Sequence, residues 1–507
     1  MIDDTPLTDE TVTVVGGGVG GLSAACTLAD AGADVTVLER TDSLGGVTNR
    51  LELGEFTFDT GPSWYLMPDT FERFFEHFGR SVEDYYELTR LDPQYRVFYK
   101  DGDRLDVEPD LDRIRAVFES YEDGAAEALD DYLAEAERTY EIGMDRFVYE
   151  DRARFRDLVD PSLLRAAPAL THLGSMQSYV ADHFDEPKLQ QLLQYTLVFL
   201  GGSPRNTPSL YNLMTHVDFE LGVYYPEGGM YSLVEALVAL GRGLGVSYRT
   251  GTDVTGLDPV EGGLRVTTRG DSHVADSVVA NANPAHVERD LLDPGQHDRD
   301  PGYWADQTYG PSAFLLYLGV EGEVDPLAHH SLVFPTDWDP HFERIFEAPD
   351  WPENPAYYLS VASRTDDSAA PDGHHAVVVL VPVAPGLDDG PERRAAVRDR
   401  ILDDLAENAG VDLRDRIVAE ESACVSDFAD RYRTPGGTAL GLAHTLDQTG
   451  PLRPAHHAPG VEGLYYAGAF TSPGVGLPMA LISGEHAAEA LARDAEGSRL
   501  DGLVPNL

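Results

Sequence analysis

Positive charge is what this chain has least of. Its 507 residues carry 37 Lys and Arg against 88 Asp and Glu, a formal net charge of −51, and lysine occurs only at Lys100 and Lys188. Nucleic acid is excluded as a partner, because its phosphates would be repelled. The acids are dispersed rather than gathered into a tail, and 42% of residues are hydrophobic, so this is no disordered acidic segment. The balance suits a halophilic cytoplasm, where multimolar salt shortens the Debye length to ~3 Å or less. In dilute buffer the same charge destabilises a compact state. Cysteine is nearly absent too. Cys26 and Cys424 build no disulfide framework, and Cys26, inside a helical pattern, reads as a small core residue. Long apolar runs are missing as well, so no spanning helix is expected. The opening MIDDTPLTDE is acidic and resembles neither a signal peptide nor an anchor. These absences leave a cytoplasmic protein, soluble or lying on a membrane surface.

The informative stretch is Val12 to Gly46. Val12, Val14 and Val15 read as a buried parallel strand. Gly16, Gly18 and Gly21 follow as G-x-G-x-x-G, then a helical pattern with Leu22, Ala25, Leu28 and Ala29 on one face, ended by Gly32. A second strand (Val35, Val37, Leu38) finishes in Glu39. The glycines allow a tight turn, close approach of backbone to a pyrophosphate, and close helix–strand packing, while the helix N-terminus faces the phosphates. Glu39 is placed to accept hydrogen bonds from a ribose. A glycine triplet alone is weak evidence, but strand, turn, helix, strand and acid arrive here in order. The chain is therefore expected to bind a dinucleotide in an α/β Rossmann-like domain.

At 507 residues the length implies two or more domains. Phe71, Phe74, Phe75 and Phe78 recur at helical spacing; a core-facing stripe is the first reading, a greasy helix at a membrane surface the second. Residues 120–150 are acidic and helical, and Leu163–Ala169 and Leu189–Leu200 are strongly apolar, as expected of a helical insertion building an apolar cavity. The pairs His329-His330, His374-His375 and His456-His457 invite a metal reading. Neighbouring residues point apart on a strand and share no helix face. Surface histidines and no metal site are expected.

Other blocks extend the dinucleotide motif. Leu44-Gly45-Gly46 after the acid-tipped strand, and Asp59-Thr60-Gly61-Pro62 beyond it, resemble the two-dinucleotide-binding-domain flavoproteins, in which the motif holds FAD. An arginine usually follows that Gly-Gly pair; here Val47 stands there, leaving Arg50 as the alternative phosphate contact. GGSPRNTPSLYNLM and YYPEGG between Gly201 and Gly229 narrow the resemblance to the bacterial-type phytoene desaturases, as does PGGTALGLAHTLDQTGPLRP (Pro435–Pro454). Ala275–Pro284 reads as the return of the chain to the cofactor domain. In GLYYAGAFTSPGVGLPMAL (Gly463–Leu481) a strand delivers Gly468 and a helix starts near Pro478, with its N–H groups facing the flavin. The resemblance runs from residue 12 to about 495 and is weakest over 290–420.

What the resemblance implies is an FAD-binding domain assembled from residues 1–100, 221–290 and 426–507, a helical, membrane-facing segment over 101–220, and an α+β substrate domain over 291–425. The FAD contacts fall on Gly16, Gly18, Gly21, Glu39, Gly45, Gly46, Gly61, Pro62, Val254, Gly468, Gly476 and Pro478. The activity implied is removal of two hydrogens from an acyclic carotenoid at the membrane's inner face, with oxygen or a quinone as electron acceptor. Within the family, 3,4-desaturation of a C50 bacterioruberin-type carotenoid is favoured over phytoene desaturation, because Ser63-Trp64-Tyr65 places aromatics where smaller residues are usual. A carotene isomerase, an amine or porphyrinogen oxidase and a non-catalytic isoprenoid escort are the other readings. No Ser/His/Asp, Cys/His or paired-carboxylate set stands out. Arg165 and His444 are the weak catalytic candidates, each equally readable as structural, and Asp59 is first of all a turn residue.

Overall fold

The computed structural model describes residues 7–151, 174–300 and 302–503. The β-branched run Thr11–Val15 is a strand buried from Val12 onward, in the middle of a five-stranded parallel sheet. The strand order is Leu464–Tyr466, Ser277–Ala280, Thr11–Val15, Asp34–Leu38, Ser247–Arg249, with Val12 opposite both Val35 and Ser277. This one sheet thus collects strands that are far apart in the chain, among them Ser277–Ala280 and Leu464–Tyr466.

The first helix, Val19–Asp30, lies against the closing helix, Leu477–Leu503. The two approach through bare backbone: a Cβ on Gly484 would stand 2.2 Å from the Gly20 carbonyl oxygen. Ser23 Oγ donates to the Leu481 carbonyl at 2.7 Å across the same contact. Cys26 is fully buried on the first helix, a core residue as expected.

A second sheet has seven strands, in the order Ile417–Ala423, Ser312–Glu321, His374–Val383, Tyr357–Val361, His330–Phe334, Tyr95–Tyr99, Arg104–Val107. Only the pair His330–Phe334 with Tyr95–Tyr99 runs parallel. Ser312–Val320 is buried without alternation because both faces are covered. Leu316, Leu318 and Val320 pack with Ile401, Leu402 and Leu405 of the helix Pro391–Asn408, while Ala313 and Leu315 face a cavity. The expected break at residue 100 falls inside a hairpin of this sheet, because Val97 and Phe98 complete its hydrogen-bonded edge beside Leu332 and Val333.

Helices Leu111–Tyr121, Ala125–Gly143, Met176–Ala181 and Pro187–Gln194 occupy the expected helical segment. Leu163–Ala169, with Arg165, lies outside the described residues. In the helix Pro68–His77 the side chains of Phe71, Phe74 and Phe75 are buried, so the phenylalanine stripe faces the core. No described helix is long and apolar enough to cross a membrane. The two lysines are both enclosed. Lys100 donates to Asp404, Asn354 and the Pro355 carbonyl, and Lys188 sits between Asp101 and Asp103, over the Tyr99 ring.

Asp218 is buried between the hydroxyls of Tyr95 (2.7 Å) and Tyr195 (2.9 Å), and burial pushes its carboxyl up to about 7 despite these bonds. The fold therefore favours the protonated acid, and this contribution to stability is lost as pH rises from about 4 to about 7. Asp218→Asn should flatten that part of the pH–stability curve relative to the parent, a difference of about 2–4 kcal/mol between the ends. Thermal unfolding in high salt at pH 4.5 and 8 checks it.

Candidate active site

Eleven of the twelve residues expected at the cofactor line one cavity of about 920 Å³. Gly16, Gly18, Glu39, Gly45, Gly46, Gly61, Pro62, Val254, Gly468, Gly476 and Pro478 all face it. Gly21 does not. It sits one turn into the first helix, where a Cβ would stand 2.2 Å from the Gly16 carbonyl, so its role is helix–strand packing as the motif requires.

The first helix begins at Val19 without a side-chain cap and without an acid in its first turn, which leaves its leading N–H groups for an anion. Gly45 runs beside Gly18 in a parallel bridge, and the Gly45 N–H donates to the Gly17 carbonyl at 2.7 Å. A Cβ on Gly61 would fall 2.0 Å from the Val47 carbonyl, so the second turn closes only with glycine there. The Glu39 carboxylate accepts from the Gly17 N–H and from the Thr41 N–H and hydroxyl, each at 2.8 Å. About one of its four lone-pair directions is left for a ribose. Val254 opens a strand at the same wall, next to Thr252, whose N–H donates to the Glu39 carbonyl.

Arg50 is not the phosphate contact that Val47 fails to supply. It lies over the Tyr231 ring and pairs with Glu235 and Glu52, away from the cavity. The arginines that face the cavity are Arg40, Arg431 and Arg433. Arg433, in the left-handed region at φ 53°, donates to both oxygens of Asp253 and to His286 Nε2. Nothing in the linear pattern marked these three, because they come from the end of one strand and a remote helix terminus.

His444 lies in the cavity wall and has both ring nitrogens engaged. Its Nε2 accepts from the Val475 N–H at 3.1 Å, so Nδ1 carries the proton and donates to the Tyr211 hydroxyl at 2.5 Å. Burial and the nearby Arg453 hold it neutral, well below the usual imidazole range. Arg453 is itself buried and has no carboxylate against it among the described residues. Its guanidinium donates to the carbonyls of Leu442, Gln448, Ala469 and Thr471, and burial lowers it to about 10. These two residues brace the loop between Gly468 and the closing helix. The other two cavity histidines are equally committed. His341 donates from Nε2 to the Pro382 carbonyl and accepts at Nδ1 from the Ala356 N–H, and His286 bridges Asp290 and Arg433.

Asp59 is set behind the site. It accepts from the Tyr225 hydroxyl and the Met230 N–H, and burial lifts it to about 6. The histidine pairs are not surface residues throughout: His329, His330 and His456 are buried, because their strands and loops are covered on both sides. His330 stacks on Trp64 at 4.2 Å.

Away from the glycine turns the cavity is walled by Trp64, Phe71, Phe147, Phe199, Leu213, Leu332, Phe334, Trp338, Phe342 and Ile345. A cradle for a dinucleotide thus opens directly into an apolar chamber. The model of the flavin-containing amine oxidoreductase family matches residues 19–492. The chain belongs to that family. It is an FAD-dependent oxidoreductase, and the glycine cradle, the unpaired helix N–H groups and Glu39 fit that cofactor. It is 59% identical to the carotenoid 3,4-desaturase of Haloarcula japonica, over 96% of this chain and 99% of that one. It is 35% identical to the zeta-carotene-forming phytoene desaturase of Myxococcus xanthus, over 95% and 93%. Among solved structures it resembles an oxidoreductase of Methanosarcina mazei (TM-score 0.61, 18% identity, 94% of this chain and 100% of that one). Putrescine oxidase has the same fold (TM-score 0.58, 15% identity, 96% and 99%).

Two substitutions test this architecture. Gly61→Ala should release flavin, read as at least a tenfold loss of bound yellow chromophore per chain, because backbone blocks the added carbon. Arg453→Met should leave four buried carbonyls unpaired and destabilise the flavoprotein by about 3–5 kcal/mol, seen as a lowered unfolding midpoint.

Proposed function

We propose that this flavoprotein is a carotenoid 3,4-desaturase that introduces double bonds near the ends of an acyclic C50 carotenoid of the bacterioruberin type. The observation that carries this reading is the continuity of the FAD cradle with a chamber walled by aromatic and aliphatic side chains. A polyene has no polar group for a site to hold along its length, so apolar enclosure is what alignment of one C–C bond against the cofactor requires. When bound, FAD supplies the two-electron oxidant. The protein's part is to exclude water, orient the chain and keep its own polar groups satisfied. The three histidines in the wall fit that division: each has both ring nitrogens bonded within the protein, so none stands ready as a proton acceptor.

The kinship with the Haloarcula desaturase supports the choice of bond over phytoene desaturation. We also propose that the enzyme works as a peripheral protein on the inner face of the cell membrane, where such a substrate resides, with oxygen or a quinone accepting the electrons. Leu446 and Leu452 support this, since both are exposed beside Thr449–Pro451 at the cavity wall.

Purified enzyme in ~3 M KCl, FAD and liposomes, supplied with a 3,4-dihydro C50 carotenoid or with phytoene, tests the reading. A red shift of the C50 pigment alone is expected; coloured products from phytoene would make it the early desaturase instead. The anaerobic rate of flavin bleaching by the C50 substrate should vary less than about threefold from pH 6 to 9, because burial holds His341 at about 4 and His444 well below its usual range. A sigmoid centred near 6.5 that disappears in His444→Gln would make His444 an acid–base catalyst.

A further inference from the structure

Outside the cavity wall, three side chains from distant segments meet: Asp151 shortly after the turn Met144–Val148, His456 before the strand Leu464–Tyr466, and His486 on the closing helix. One ligand atom from each lies within 4.8 Å of the others. Both imidazoles are buried, at 1% and 2% exposure, with ring centroids 5.5 Å apart and planes at 79°. His456 Nδ1 donates to the Tyr466 carbonyl at 3.0 Å, and His486 Nε2 donates to the Tyr149 carbonyl at 3.4 Å. Those bonds fix the tautomers. The remaining nitrogens, His456 Nε2 and His486 Nδ1, are then lone-pair acceptors, and neither has a hydrogen-bond partner among the described residues.

Two buried acceptors turned to a shared space need a donor or a cation between them. A carboxylate beside them decides which. Asp151, one of whose oxygens pairs with Arg493 at 2.8 Å, adds negative charge to two neutral nitrogens, the ligand set of a divalent transition metal. The carbonyl acceptors behind each ring are the second layer that orients metal-binding histidines. Burial keeps both rings neutral and so in the ligating form, with His456 lowered to about 4.

We propose that Asp151, His456 and His486 bind one divalent transition metal ion, zinc in the first instance, as a structural clip outside the flavin site. The clip joins the closing helix to the turn Met144–Val148, whose Phe147 and Val148 face the substrate chamber. It requires neither oxidation nor reduction of the protein.

The test uses the full flavoprotein in high salt, stripped with EDTA and dialysed against micromolar zinc. Metal and flavin are then measured on the same samples. The parent and His457→Ala are expected to hold about one zinc per chain more than His456→Ala or His486→Ala, with flavin content equal in all four. The parent's unfolding midpoint should rise with zinc and that of the two site variants should not. Where a histidine variant loses flavin, Asp151→Ala takes its place, with at least tenfold weaker zinc binding expected. Equal zinc content in the parent and the site variants overturns the proposal and leaves a water-filled polar pocket. Flavin content and pigment conversion report on the active site separately, so failure of the clip would not count against the desaturase reading.

Discussion

The close crossing of the first and last helices is the contact on which the active site depends. Gly20 and Gly484 let Val19–Asp30 and Leu477–Leu503 meet backbone to backbone, and Ser23 ties them with a hydrogen bond to the Leu481 carbonyl. Both helices begin at the same cavity, the first at Val19 without a side-chain cap and the last at Leu477, so two helix N-termini approach one space, an arrangement that favours an anion. A side chain at either glycine would part the helices and with them the two halves of the cradle. The parallel sheet serves the same contact, since the strands at 11–15, 277–280 and 464–466 deliver the turns that carry Gly16, Asn281 and Gly468.

The cofactor half of the molecule was legible because its chemistry is local. A strand, a glycine turn, a helix and an acid within 35 residues leave one physical solution, and Gly45-Gly46 and Gly468 repeat the same logic. The chamber half was less so. The seven-stranded sheet takes its edge from residues 95–107, and no local pattern announces a pairing with strands more than 200 residues away. Arg453 is held by carbonyl oxygens, which every residue has, so its role leaves no trace in side-chain spacing. Spacing within an adjacent histidine pair carries no sign that His456 meets His486, thirty residues further on, and a carboxylate from a third segment.

Charge and structure are linked by how few cations remain. The two lysines sit where an ammonium has several fixed oxygen partners, and the arginines take positions where a planar fork reaches two acceptors at once, as at Asp106 and Glu420. The excess of carboxylates is left on the outside, where salt screens it. Lysine's flexible, strongly hydrated head group is thus held against fixed carboxylates at both of its positions.

The crossing of first and last helices also sets a schedule. One half of the cradle is complete within the first 62 residues, and the other half does not exist until Leu477–Leu481 has been made. At about 5–20 residues per second, the interval between the two on the ribosome is on the order of half a minute. During that interval the strand Thr11–Val15, its helix and its glycine turns stand without their partner, so the cradle closes only after Leu477–Leu481 has been made.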